Sequence, residues 1–203
     1  MQIILYFGSF NPVHNGHIAL AKAVSQLYHA KVWFVLSPQN PFKQDRTLWD
    51  ENLRARLLEQ ALRPYGSLEF CDAELRLPKP SYTIDTLRYL QERHPQTEFL
   101  ILMGEDNLSG LHRWKEIDRI MHRCGILVYP RKEQKETAPK PETYPILERF
   151  AHKISLLENL PLLDISSTEI RRKLSEGQDV SDLVPWDASG LGGVQYFNKE
   201  KTS

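Results

Sequence analysis

Along this chain, short apolar runs alternate with stretches whose apolar residues recur every three or four positions. The first run, Ile3-Ile4-Leu5-Tyr6-Phe7, is β-branched and aromatic and is stopped by Gly8, Ser9, Asn11 and Pro12, so it reads as a buried strand. From Asn15 the pattern changes. Ile18, Leu20, Ala21, Val24, Leu27 and Tyr28 fall near a 3.6 period, which predicts a helix over 15–29. The alternation then repeats, with strands predicted over 31–36, 68–71, 98–103 and 125–129. The helices between them are predicted over 49–62, from Ser81 or Tyr82 to Arg93, and over 107–123. Residues 154–163 are strand-like, and 165–174 open as a helix with a Ser166 cap and Glu169 three residues on. Residues 39–43 make a polar loop, and the charged, Pro-rich stretch 131–141 reads as a mobile loop. Repeated strand-helix units predict an α/β fold: a doubly wound parallel sheet covered on both faces, with ligands at the carboxyl ends of the strands. His14, Asn40, Asp106 and Ser167 would all lie on that edge.

At 203 residues and 41% apolar content, the chain can bury one full core as a single domain. The 26 basic and 26 acidic residues cancel, which argues against a nucleic-acid footprint but leaves room for a local cationic pocket. No apolar run is long enough to span a membrane, and no signal-peptide pattern precedes the first strand, so a cytoplasmic protein with no membrane partner is expected. Cys71 and Cys124 are isolated in sequence and are expected to stay reduced. Oligomeric state is not written in the sequence, and a homo-oligomer is compatible with it.

Chemistry concentrates where the first strand turns into the first helix, at Gly8-Ser9-Phe10-Asn11-Pro12-Val13-His14-Asn15-Gly16-His17. Unpaired backbone N–H groups and the positive end of the helix dipole favour an anion there, and two imidazoles in the first turn add donors from the same side. Gly8 and Gly16 let the main chain approach a phosphate closely. A single histidine at a helix start is ordinarily a solvated or capping residue; two in a Gly-bounded turn point to the anion. Zinc is an open alternative, since histidines three apart can share a face, although neither cysteine has ligand spacing. The turn is neither a Gly-x-Gly-x-x-Gly fingerprint nor a Walker A sequence.

Two motifs in this order, His14-Asn15-Gly16-His17 after the first strand and Ile165-Ser166-Ser167-Thr168-Glu169-Ile170-Arg171 near the end, resemble the HxGH nucleotidylyltransferases. The middle of the chain is similar to the bacterial nicotinate-nucleotide adenylyltransferases. The matching stretches are Asn40-Pro41-Phe42-Lys43, Pro80-Ser81-Tyr82-Thr83-Ile84-Asp85-Thr86-Leu87, Leu102-Met103-Gly104-Glu105-Asp106-Asn107-Leu108, Leu111-His112-Arg113-Trp114 and Tyr129-Pro130-Arg131. The likeness covers about residues 3–186 and implies one nucleotidylyltransferase domain over 1–186, leaving 187–203 as an unassigned tail. It implies a Rossmann-like fold, ATP and nicotinate mononucleotide as substrates, deamido-NAD and pyrophosphate as products, and Mg²⁺ entering with ATP without dedicated protein ligands. The same chemistry on nicotinamide mononucleotide or phosphopantetheine is the nearest alternative, and a non-catalytic nucleotide sensor is the alternative of another class.

By the same resemblance His14 and His17 are the catalytic pair. Gly8, Ser9, Phe10, Gly16, Gly104, Asp106, Ser167, Thr168 and Arg171 would bind ATP, with Asp106 on the ribose and the Ser167–Arg171 stretch on the β and γ phosphates. Asn40, Lys43, Thr83, Trp114 and Arg131 would bind the second substrate, Trp114 stacking on the pyridine ring and Thr83 meeting the nicotinate carboxylate. Read without the resemblance, Ser166 to Glu169 is a plain helix cap, Arg171, Lys43 and Arg131 are solvated, Asp106 is a cap and Trp114 is core. Three positions depart from the family pattern: Asn11 stands where many relatives have Asp, Glu105 where a small or polar residue is usual, and the Gly-rich 186–193 where an apolar helix is usual. Gly190 to Gly193 reads as a flexible end.

Overall fold

The computed structural model describes residues 1–38, 47–130 and 148–189. Six strands form one all-parallel sheet: β1 (Gln2–Gly8), β2 (Lys31–Leu36), β3 (Leu68–Cys71), β4 (Glu98–Gly104), β5 (Gly125–Tyr129) and β6 (Ile154–Leu156). Their order is β3-β2-β1-β4-β5-β6. This is the doubly wound, Rossmann-like α/β architecture. The order reverses between β1 and β4, where a crevice opens beyond the strand ends.

Both faces of the sheet are covered. On β1, Ile4 and Tyr6 face one way, toward a core shared with α1 (Asn15–Tyr28), α2 (Glu51–Leu62) and α6 (Ser167–Ser175), while Ile3 and Leu5 face the other way, toward α4 (Thr83–Arg93) and α5 (Ile117–Arg123). Ile3, Ile4 and Leu5 are wholly buried, as unbroken apolar runs in parallel strands are. Among the described residues, no helix is long and apolar enough to cross a membrane. Cys71 and Cys124 are buried unbridged thiols, pushed up by burial to about 11 and about 12.

Four elements differ from the pattern-based expectation. Helix α2 starts at Glu51 instead of 49, because Asp50 caps it by accepting from the N–H groups of Asn52 and Leu53 at 3.0 and 3.2 Å. A one-turn helix, α3 (Ala73–Arg76), stands between β3 and α4, where the pattern predicts no element; four residues carry no period to read. The helix expected over 107–123 starts earlier and divides into a 3₁₀ segment, Glu105–Arg113, and α5, with Glu116 at φ 54 between them. Gly110 weakens the α-helix there, and the Asn107 and Ser109 side chains hydrogen-bond nearby carbonyls. The strand-like 154–163 pairs only as β6, since Asn159 turns the chain at φ 57 and Pro161 lacks a donor. The expected loops 39–43 and 131–141 and the tail from Gly190 lie wholly or mostly outside the described residues.

Candidate active site

Helix α1 begins at Asn15, so His14 is its N-cap and His17 lies in its first turn. The two imidazoles stack, ring centroids 3.7 Å apart and planes 25° from parallel. His17 Nδ1 accepts the main-chain N–H of His14 at 3.2 Å. A neutral His17 with an accepting Nδ1 carries its proton on Nε2, as a donor. Phe10 and Tyr6 meet the His17 ring edge-on and fix its orientation.

The main chain is tight at this turn. A Cβ on Gly8 would lie 2.9 Å from the Phe10 ring, and one on Gly16 would lie 3.0 Å from His14 Nδ1. Phe10 itself stands at φ 41, a left-handed conformation costly for an aromatic residue. Side chains from remote segments hold it: Arg54 Nη1 donates to Ser9 O at 2.7 Å, Arg171 Nη1 to Asn11 O at 2.7 Å and Ser167 Oγ to Pro12 O at 2.9 Å.

A cleft of about 650 Å³ opens over this turn, at the crevice between β1 and β4. Every expected site residue within the described regions lines it. Gly8, Ser9, Phe10, His14, Gly16 and His17 come from the first turn. Ser167, Thr168 and Arg171 come from the start of α6, Gly104 from the end of β4, Asp106 from the 3₁₀ segment that follows it, and Thr83 and Trp114 from the far wall. Ser166 caps α6 by accepting from Glu169 N at 3.1 Å, so the plain cap reading holds alongside any role in binding. Trp114 is half-buried against the α4–α5 core, as its core reading has it, and it also lines the cleft. Asn40, Lys43 and Arg131 lie outside the described residues.

Comparisons with known proteins give the family and the fold. The cytidylyltransferase-like family model matches residues 5–173. A Flavobacterium johnsoniae protein named "Probable nicotinate-nucleotide adenylyltransferase" is 37% identical over 186 residues, 91% of this chain and 92% of that protein. A Bacteroides thetaiotaomicron protein of the same name is 39% identical over 177 residues, 87% of this chain and 83% of that one. The chain belongs to the nicotinate-nucleotide adenylyltransferase family. In fold it is similar to the solved Plasmodium falciparum nicotinic acid mononucleotide adenylyltransferase complexed with NaAD, with TM-score 0.70, 23% identity and 90% of each chain covered.

Within that family setting, Asn11 has a distinct task. It is buried, its Nδ2 donates to Thr47 O at 3.1 Å, and its Oδ1 accepts Trp49 N at 3.0 Å. An ionised aspartate could make only the second bond. Asn11 therefore pins the turn to the segment leading into α2.

Sequence reasoning missed two further residues at this edge. Arg54 is 1% exposed and donates to four carbonyls, of Trp49, Ser9, Ser37 and Pro38, all within 2.9 Å. Burial lowers its guanidinium to about 10. Its position was readable, since 54, 57, 58 and 61 form one helical stripe and the other three are apolar. Glu74 is 3% exposed and lines the cleft, accepting from Ser81 Oγ at 3.0 Å and Thr86 Oγ1 at 3.1 Å. Desolvation raises its carboxyl above the usual range, opposed by these hydroxyls and that of Ser37. No sequence signal marks it.

Proposed function

We propose that this protein transfers the adenylyl group of ATP to nicotinate mononucleotide, giving deamido-NAD and pyrophosphate in NAD biosynthesis. The observation that carries the reading is the convergence of two helix starts, His14–His17 and Ser167–Arg171, on one cleft whose far wall holds Thr83 and Trp114. The names of relatives up to 39% identical support it.

In the reaction, a phosphate oxygen of the acceptor attacks the α-phosphorus of ATP in line. The new P–O bond forms as the bond to the bridging oxygen breaks, and pyrophosphate leaves. Two polyanions must meet, so positioning and charge neutralisation supply most of the catalysis and no covalent enzyme intermediate is needed. His17, through Nε2–H, and His14 donate to phosphate oxygens whose charge grows in the transition state. Thr168 and Arg171 hold the β and γ phosphates, Arg171 as a planar fork, and Ser167 joins them through its main-chain N–H at the start of α6, its hydroxyl proton being given to Pro12 O. Gly8, Ser9, Phe10, Gly16 and Gly104 shape the main chain around ATP, and Asp106 accepts from the ribose hydroxyls. On the acceptor side Trp114 stacks on the pyridine ring and Thr83, at the start of α4, meets the carboxylate, with Asn40, Lys43 and Arg131 as further phosphate contacts.

Among the described residues no three His, Cys, Asp or Glu side chains gather into a metal-holding set. Isolated carboxylates such as Asp106 and Asp164 line the cleft, which suits a Mg²⁺ ion carried by the triphosphate's own oxygens and by water. When bound, that ion supplies charge neutralisation of the triphosphate.

The test is pyrophosphate release from Mg-ATP with nicotinate mononucleotide, nicotinamide mononucleotide and phosphopantetheine offered in turn. Release is expected with nicotinate mononucleotide. Release with another acceptor only would reassign the substrate, and none with any of them would leave a nucleotide sensor.

A further inference from the structure

One more side chain reaches the catalytic turn, from outside the cleft. Trp186 is 5% exposed, packs in the core shared with α1 and α6, and donates its indole Nε1–H to Val13 O at 2.9 Å. Close by, Asn15 N–H donates to Leu183 O at 2.9 Å and Asn15 Nδ2 to Asp182 O at 3.0 Å. His14 thus stands between two residues gripped by the one segment 182–186.

The carbonyl of Val13 and the N–H of His14 belong to a single peptide plane. Trp186 holds one end of that plane, and the other end donates to His17 Nδ1 at 3.2 Å. The path therefore runs from the Trp186 indole through the Val13–His14 amide to His17 Nδ1. An amide whose carbonyl accepts a bond is polarised toward a stronger N–H donor, and one that cannot tilt keeps that donor aimed. Val13 is wholly buried, so a carbonyl deprived of its partner would swing toward another and take the N–H of His14 with it.

We propose that Trp186 is a positioning residue for adenylyl transfer, holding the Val13–His14 peptide so that His17 keeps its proton on Nε2 and presents it to phosphate. The proposal rests on the reading of His17 as a phosphate donor.

The decisive variant replaces Trp186 with β-(3-benzothienyl)alanine, which keeps the shape of the ring and puts sulfur where the N–H was. Turnover in pyrophosphate release is expected to fall about tenfold, with KM for both substrates within about twofold and the melting temperature within a few degrees. In ¹⁵N-histidine spectra His17 is expected to lose its single Nε2–H tautomer pattern. Trp186→Phe should act in the same direction with a larger loss of melting temperature. Val184→Ala, a buried neighbour with no bond to the turn, should lower melting temperature and leave kcat in place. An isostere with wild-type turnover, or a loss of turnover with the His17 nitrogen pattern unchanged, overturns the proposal. Should the wild-type protein release no pyrophosphate, the functional reading fails, while the nitrogen pattern still decides the role of Trp186.

Discussion

The turn of residues 8–17 and the turn of residues 164–171 both lead into a helix at the same edge of the sheet, yet their polar groups are spent in opposite directions. In the later turn the cap is local: Ser166 satisfies Glu169 N, and Ser167 and Arg171 reach outward. In the earlier turn the carbonyls of Ser9, Asn11, Pro12 and Val13 all accept from side chains far along the chain. One turn is held and the other does the holding. Two turns that look independent in the sequence are thus one mechanical unit, and a triphosphate bound across them, as proposed above, would meet a frame already tied together.

The sharpest way to break this contrast is at the ring that the held turn presents. His17→Ala is expected to lower turnover by at least about a hundredfold with little change in melting temperature, measured by pyrophosphate release and thermal denaturation. Near-normal turnover would remove His17 from the mechanism. The next largest effect is expected on the pin behind the turn. Asn11→Asp puts a carboxylate against Thr47 O, where the amide donates now, and should cost about 2 kcal/mol in urea denaturation at pH 7. Acidification should restore part of that loss, because a protonated carboxyl regains a donor.

Glu74 sharpens the comparison from the other side of the cleft, where a buried carboxyl is held by hydroxyls. Its folded carboxyl titrates above the ordinary value of 4.5, so the folded state keeps its proton longer than the unfolded state does. Its contribution to stability is therefore present at low pH and is lost as pH rises from about 4.5 through the raised folded value, by at most about 1.4 kcal/mol per pH unit. Glu74→Gln should flatten that part of the stability profile; an unchanged slope would show that Glu74 does not set it. The smallest effect belongs to the locally capped turn. Ser166→Ala should cost about 1 kcal/mol in the same denaturation assay, the usual worth of an N-cap.

Much of this was legible in the chain. The strands announced themselves as apolar runs such as 3–7 and 99–103, and a period of 3.6 marked α1 and α4. The two motif turns were readable because their polar and small residues interrupt that pattern at the same kind of junction. What stayed hidden depends on contacts that no local pattern encodes. Glu74 and Trp186 sit in short or unpatterned segments, and only the fold brings them to Ser81 and Val13. The 3₁₀ segment was misread because Leu108 and Leu111 fit a helical period while Gly110 and Ser109 lower the worth of an α-helix there. Asn11 could be noticed as a departure, but its task appears only once Thr47 and Trp49 are seen beside it.

The bond from Trp186 to Val13 joins residues 173 positions apart, and those from Arg171 and Ser167 span 160 and 155. During synthesis the HxGH motif is among the first parts of the domain to emerge, while its supports come last. A nascent chain threaded out only as far as β6 has the sheet and the histidines but none of those three bonds. Contacts of such separation are slow to form, because the intervening chain must be closed before they are rewarded. Catalytic competence should therefore lag behind compaction, and the first-written part of the site should be the last to be finished.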